Sequence, residues 1–456
     1  MKNKLGLVLI IFSLTVFLIL CLSLASCQTV PGASASDSQT ESRDAAASAG
    51  HPEKEPDLTE ISLWTYPIGN WSNSTMVASL LADFNKQYPH IRVSVKYLDY
   101  NTGDSLMEDA IAKGQAPDIV FEGPERLCAN WGDRGLMADL SQLWSSSSAS
   151  QIYDHVQTAC QSENGAYYIF PVCESAHCMA IHHDLFEAAG ALQYLDEETH
   201  TWTTEGFIKA VAALKEYGVE QVGAVYCGGQ AGDQGTRALV NNLYGGSFTD
   251  PEHSYYTINT PENIEALQLL YDLEGIDFAP DMTGADEVKR FSSGDLAMTF
   301  CWNVAREINE TLVNPDLNFD VFPMAFPSPT GVPVLEGGIW GFGIFDNGDA
   351  ARIEAAKTFV DFMTGTDSQY AKTVLSTTYW PVRPMEDLYV NDRLMTEYGT
   401  FTQYMSDYHQ ITPGWTEART AWWKMLQEIG SGGDIEAAAK AFDDTANESA
   451  GHIQTE

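Results

Sequence analysis

The chain has 456 residues, 44% of them hydrophobic and 11% aromatic, a globular composition in a length that exceeds what one hydrophobic core usually holds. A formal charge of −39, from 63 acidic against 24 basic side chains, argues against nucleic acid or an anionic membrane face as a partner, because both would repel it. Two lobes with a solvated acidic surface are the expectation.

Lys2 and Lys4 precede the apolar run 5–24, which ends in Leu24-Ala25-Ser26-Cys27. A basic start, an apolar stretch and small residues before a cysteine form a secretory signal, and Cys27 fits the position acylated in bacterial lipoproteins. A retained anchor helix is the alternative reading, and either one ties the protein to a membrane outside the cytoplasm. Residues 1–26 are therefore expected to be a signal peptide. Residues 27–57, Ser-, Ala-, Thr- and acid-rich, would be a flexible tether, since such composition cannot bury surface. Six cysteines remain beyond Cys27, at 128, 160, 173, 178, 227 and 301. Disulfides are permitted but not required in a domain this large.

A strand over 58–66 ends at Pro67. Val77, Leu80, Leu81, Phe84 and Tyr88 recur at helical spacing up to Pro89, and Ile91, Val93, Val95 and Tyr97 alternate with polar residues as a half-buried strand. A helix over 106–113 and a short strand after Pro117-Asp118 complete a β-α-β-α-β order, which predicts a parallel sheet. Its last strand runs into Glu122, Glu125 and Arg126, at the carboxyl end where ligands of open α/β sheets sit. Residues 165–174 and 179–181 are β-rich. Helices start at Thr203 and at Thr260-Pro261, each a cap residue, with a strand over 222–226 between them. Residues 291–300 turn into a buried strand that empties onto Trp302. Residues 317–345 are strand-like and interrupted by prolines, and beyond Asp349 the chain reads as helical.

Three tryptophans stand at strand or loop ends: Trp302, Trp340 between glycines, and Trp415 after Pro413-Gly414. Such rings can stack on the C–H face of a sugar while acids and amides take the hydroxyls, although core packing accounts for most tryptophans. Glu122, Glu125 and Glu174 can be read as hydroxyl acceptors, as an acid/base pair for glycoside cleavage, or as surface charge. Cys173, His177, Cys178, His182 and His183 match no zinc spacing, and the glycine-rich stretch 228–235 lacks dinucleotide or P-loop spacing. No metal or other cofactor is expected. One clear cation, Arg126, against several carboxylates favours a neutral ligand over an anion.

Four segments resemble, in order, the carbohydrate-binding family of extracellular solute-binding proteins of bacterial ABC importers, the maltose-binding-protein-like family. They are Ala112-Lys113-Gly114-Gln115-Ala116-Pro117-Asp118-Ile119-Val120-Phe121, then Tyr168-Ile169-Phe170-Pro171-Val172-Cys173-Glu174. Phe291-Ser292-Ser293-Gly294-Asp295-Leu296-Ala297-Met298 and Gly414-Trp415-Thr416-Glu417-Ala418-Arg419 follow. The resemblance implies two α/β lobes, each a mainly parallel sheet flanked by helices, joined by crossing strands. It further implies a sugar held in the cleft, no enzymatic activity, and closure about the hinge that signals to a membrane permease. By motif it assigns Glu122, Glu125, Arg126, Glu174, Trp302 and Trp415 to the ligand. Trp64, Tyr66 and Trp340 join them on position alone. The first lobe is expected to comprise 58–172 and about 317–336, the second 173–316 and about 337–456, in a monomer. A surface-anchored glycoside hydrolase, or a binding protein for a phosphate ester or a peptide, is the alternative.

Overall fold

Strand β1 (Thr59–Thr65), helix α1 (Ser74–Gln87), β2 (Ile91–Tyr97), α2 (Gly103–Ala112) and β3 (Ile119–Glu122) follow one another in the order the periodicity predicts. The computed structural model describes residues 58–100, 102–162, 165–228, 233–385, 388–405 and 408–452. The expected signal, Cys27 and the tether lie outside them, as do 229–232 of the glycine-rich stretch. β1 lies between β2 and β3 and parallel to both, with Thr59 opposite Ile91 and Leu63 opposite Ile119. Val77, Leu80 and Phe84 share the buried face of α1, and the Asn73 side chain accepts from the amides of Thr75 and Met76. The aspartate of the Pro-Asp-Ile motif is structural. Buried Asp118 accepts hydrogen bonds from the Ser62 amide at 2.8 Å, Asn347 Nδ2 at 2.6 Å and Arg352 Nη2 at 2.7 Å. It thereby fixes β3 to β1 and to the segment that begins the helix after residue 349.

β4 (Phe170–Ala176) belongs to this first sheet, and after His177 the chain continues as β5 (Cys178–His182) in a second one. Cys173 and Cys178 therefore sit in different sheets, and all six cysteines at 128–301 are buried free thiols. The second lobe follows with α3 (Thr204–Tyr217), β6 (Gly223–Gly228), α4 (Asp233–Tyr244), α5 (Pro261–Asp272), β7 (Ile276–Thr283), α6 (Gly284–Ser292), β8 (Met298–Trp302), α7 (Val304–Val313) and β9 (Val321–Met324). β6 and β7 pair in parallel, while β5 runs antiparallel between β8 and β9. The Thr203 and Thr260 hydroxyls cap α3 and α5, as expected from the sequence.

β10 (Gly337–Ile344) returns to the first sheet, followed by α8 (Ala350–Thr364), α9 (Asp367–Leu375) and β11 (Trp380–Pro381), giving the strand order β11-β4-β10-β3-β1-β2. The sequence-based lobe boundaries are reversed here. β9, expected in the first lobe, hydrogen-bonds to β5 of the second; β10, expected in the second, lies between β3 and β4 of the first. Periodicity identifies a strand but not the edge it joins, and the partner contact here is made by glycine. A Cβ on Gly341 would stand 2.2 Å from the Phe170 carbonyl oxygen, so only glycine lets β10 approach β4 this closely. Of the C-terminal stretch, α10 (Trp415–Gly430) covers β6 and β7, and α11 (Ile435–Ser449) packs on α10.

An aromatic column ties the first lobe together. Trp71, Phe121, Phe342, Phe359 and Phe84 follow one another with ring centroids 4.3 to 5.6 Å apart, joining α1, β3, β10 and α8. In the second lobe Phe248 packs edge-on against Tyr256, Trp415, Trp422 and Phe442. Edge contacts of this kind add to the area the rings bury.

Candidate ligand-binding site

A cavity of about 470 Å³ opens where the two lobes meet. The first lobe contributes the loop after β1 (67–72), Tyr100 after β2, and Glu122, Glu125 and Arg126 after β3. The second contributes Asp233 and Arg237 of α4, Asn303 and Arg306 at the start of α7, and Arg419 of α10. Ser175, Ala176 and His177, where β4 crosses into β5, form its floor together with Gly338 and Gln410.

Arg126 organises the first wall. Its Nε and Nη2 reach the two oxygens of Asp104 at 2.9 and 3.0 Å, and its Nη1 reaches Glu122 at 2.9 Å and Glu125 at 3.2 Å. The rings of Tyr66 and Tyr100 lie 5.0 and 5.8 Å from the guanidinium carbon. Burial opposes the charge on Arg126, but Glu122, Asp104 and Glu125 hold its pKa well above the usual arginine value. Burial pushes Glu122 the other way from an ordinary carboxylate, up to about 8, with Glu125 and Asp104 adding to the rise against Arg126. Its Oε2 is buried and has no hydrogen-bond partner among the described residues. Glu125 accepts from the Tyr408 hydroxyl at 2.7 Å.

The second wall is built on Asp233. Arg419 binds it through Nε at 2.9 Å and Nη2 at 2.6 Å, and Arg237 Nη1 bonds the same carboxylate. Burial would raise Asp233, but Arg237 and Arg419 keep it at about 2. Arg237 also reaches Glu336, with Nη2 at 2.9 Å, and Trp415 lies 4.8 Å from its guanidinium carbon. The Glu336 carbonyl accepts the His177 amide at 2.8 Å, joining the two crossing segments.

Trp340 is half-buried in β10 beside a register shift, lines the cavity and stacks on Tyr379 at 4.8 Å and 16°. Its indole lies over Gly338, where a Cβ would come within 2.1 Å of the ring. The pair gives the cavity a flat aromatic shelf.

Of the residues singled out from sequence, Glu122, Glu125, Arg126 and Trp340 line this cavity, and five do not. Trp302 is fully buried in the second lobe, with its Nε1 donating to the Tyr398 hydroxyl at 2.7 Å. Its stacking role is replaced by a core role, because β8 is buried along its whole length and the neighbours on either side of Trp302, Cys301 and Asn303, are the ones that line the cleft. Trp415 lines a neighbouring depression and backs Arg237 without reaching the cavity. Glu174 is buried and hydrogen-bonded to His155 Nε2 at 2.7 Å. Alternation along β4 turns it away from the face that presents Ser175. Tyr66 is buried behind the wall and donates to Asp104 at 2.6 Å. Trp64 lies on β1 under the Lys96 ammonium, 3.6 Å from its ring. Sequence reasoning missed His177, Asp233, Arg237, Arg306, Tyr379, Tyr408 and Arg419. The spacing of Asp233 and Arg237, four apart and able to pair on one helix face, was a readable signal, and Arg419 lies in a segment already noted. The charge count also changes: four arginines line the cavity, not one.

The sequence profile of the bacterial extracellular solute-binding proteins matches residues 79–392, and the chain belongs to that family. Solved structures with the same two-lobed fold include an ABC substrate-binding protein from Listeria monocytogenes in complex with cycloalternan (20% identity, 87% of this chain and 100% of that one, TM-score 0.69). A solute-binding protein from Thermotoga lettingae bound with α-D-tagatose is similar at 16% identity, 86% and 100% coverage and TM-score 0.70. One from Agrobacterium radiobacter in complex with ribitol is similar at 20% identity, 87% and 99% coverage and TM-score 0.64. No curated protein sequence matches the chain significantly. Among the described residues, no helix is long and apolar enough to cross a membrane.

Proposed function

We propose that the protein is the substrate-binding lipoprotein of a bacterial ABC importer, capturing a sugar or oligosaccharide between its lobes and delivering it to a membrane permease. The observation that carries this reading is the interlobe cavity, in which the Trp340–Tyr379 shelf faces hydrogen-bonding groups drawn from both lobes. Its volume falls in the range of roughly 300–1,000 Å³ common for small-molecule sites. A ligand that contacts both walls binds the closed arrangement best, so binding shifts the population toward closure. The solved relatives bound to cycloalternan, tagatose and ribitol support a carbohydrate or polyol. In this reading Cys27 carries the lipid, 27–57 is the tether, and the protein acts as a monomer.

The hydrolase alternative loses support from the same geometry. A glycosidase needs two carboxyls flanking the scissile bond, whereas Glu122 and Glu125 both bind Arg126 Nη1 on one wall. Glu174 lies elsewhere, and Asp233 is occupied by two guanidiniums. Mass spectrometry of ligand released from protein purified without added sugar, followed by calorimetry with that compound, tests the proposal. Stoichiometric binding without product is expected; turnover, or a released ligand that is neither sugar nor polyol, overturns it.

A further inference from the structure

Four of the chain's 24 basic residues, all arginines, line a single cavity in a protein of charge −39. Three of them are matched by carboxylates: Arg126 on the first wall, Arg237 and Arg419 on the second. Arg306 is not. It stands in the first turn of α7, where its amide donates to Asn303 Oδ1 at 2.9 Å. Its guanidinium neighbours the Cys301 thiol, and among the described residues no carboxylate lies within ion-pair distance of it. Glu287, a buried acid that feels the charge of Arg306, accepts from the Thr299 hydroxyl and the Phe300 amide. Burial pushes that carboxyl up to about 8, so at neutral pH it provides little countercharge.

His177 is a second, independent feature of this corner. The residue is 8% exposed and lines the cavity, and among the described residues its Nε2 has no hydrogen-bond partner. Burial, with Arg306 and Arg237 adding to it, lowers its pKa to about 3, so the ring stays neutral. A buried polar nitrogen without a partner is costly unless something else occupies it.

We propose that this corner of the cleft receives one anionic substituent of the saccharide, a carboxylate such as that of a uronic acid, with Arg306 as charge partner and His177 as hydrogen-bond partner. The inference rests on the sugar-binding reading and narrows it. A carboxylate carries one charge, the number that a single unmatched guanidinium neutralises, and its two oxygens fit the guanidinium fork. A phosphate ester, at about −1.5 to −2 at neutral pH, would leave charge uncompensated. The negative surface does not forbid an anion here. At physiological salt the screening length is about 8 Å, so the local guanidinium outweighs distant carboxylates.

The test is calorimetry of the purified mature protein with oligosaccharides of galacturonic and glucuronic acid, with their carboxyl-reduced neutral counterparts of the same linkage and length, and with hexose 6-phosphates. The acidic compound is expected to bind about tenfold or more tighter than its reduced counterpart, as a charged hydrogen-bonded pair would give. In Arg306→Gln that ratio falls to about one, and Arg306→Lys restores part of it; melting curves establish that each variant is folded. Reduced counterparts binding as tightly as the acids, or an Arg306→Gln variant that keeps the ratio, overturn the inference and leave the sugar-binding reading standing. Preference for a hexose phosphate over every uronate overturns the carboxylate assignment. Binding of no saccharide at all overturns both.

Discussion

On the first wall of the cleft one guanidinium, Arg126, holds three carboxylates, Asp104, Glu122 and Glu125. On the second, Arg237 and Arg419 share Asp233, with Glu336 behind Arg237 and Arg306 beside them unmatched. The same residue types therefore end in opposite states. With acids in excess and burial complete, Glu122 keeps its proton up to about 8; with bases in excess, equally buried Asp233 gives its proton up at about 2. The first wall can thus offer a neutral carboxyl, able to donate as well as accept, from a residue that in isolation would be an anion. Asp233, with both oxygens occupied, supports its arginines and has little left for a ligand.

The largest test of this difference is Arg237→Met. It leaves Asp233 one guanidinium short and removes the ion-pair partner of Glu336 from a buried site, which should destabilise the protein by about 3–5 kcal/mol in urea unfolding. A loss under about 1 kcal/mol would mean that water or Arg419 takes over, and that the second wall is less rigid than its short contacts suggest.

The tryptophans give the next contrast. Trp302→Ala removes a fully buried indole and its bond to Tyr398, and should lower stability by about 3–5 kcal/mol, with little change in ligand affinity for the protein that remains folded. Trp340→Ala removes half of the aromatic shelf and should weaken sugar binding by about 1–3 kcal/mol, with a smaller effect on stability. Calorimetry beside denaturation separates the two; the reverse pattern would return Trp302 to the ligand and place Trp340 in the scaffold.

These residues also mark where the sequence was legible. The helices of the first lobe and the parallel β1–β3 arrangement followed from apolar spacing, the caps at Thr203 and Thr260 in the second lobe from residue type, and the charged end of β3 does line the cleft. The Pro-Asp-Ile segment was recognisable, yet its aspartate turned out to be a structural clamp on Ser62, Asn347 and Arg352. What periodicity could not supply was long-range pairing: which sheet takes β9 and which takes β10. The rest of the site depends on that pairing. Trp340 reaches the cleft only because β10 inserts beside β4, and Glu174 misses it only because the alternation of β4 turns it outward. Arg306 gave no local pattern, and His177 stood out only in a Cys/His group that matches no zinc spacing, since the significance of both lies in what does not pair with them.

Glu122→Gln reads the protonation of the first wall directly, and it is the smallest effect predicted here. In the unfolded chain this carboxyl loses its proton near 4.5, and in the folded protein near about 8. Between those values the folded state binds more protons, so this residue's contribution to stability is fully present below 4.5 and is lost as pH rises toward 8. His177, lowered from 6.5 to about 3, acts oppositely, mainly below its unfolded value of 6.5 and fading within about a unit above it. In urea unfolding from pH 6.5 to 8 it contributes equally to wild type and variant, as do Glu336 and Glu287, pushed up to about 7 and 8. Wild type should lose stability across this window, and Glu122→Gln should lose it more slowly, by at most about 1.4 kcal/mol per pH unit for the one proton removed. Parallel declines would show that Glu122 is already ionised in the folded protein. The first wall would then carry the full negative charge its carboxylates suggest, and the contrast with Asp233 would disappear.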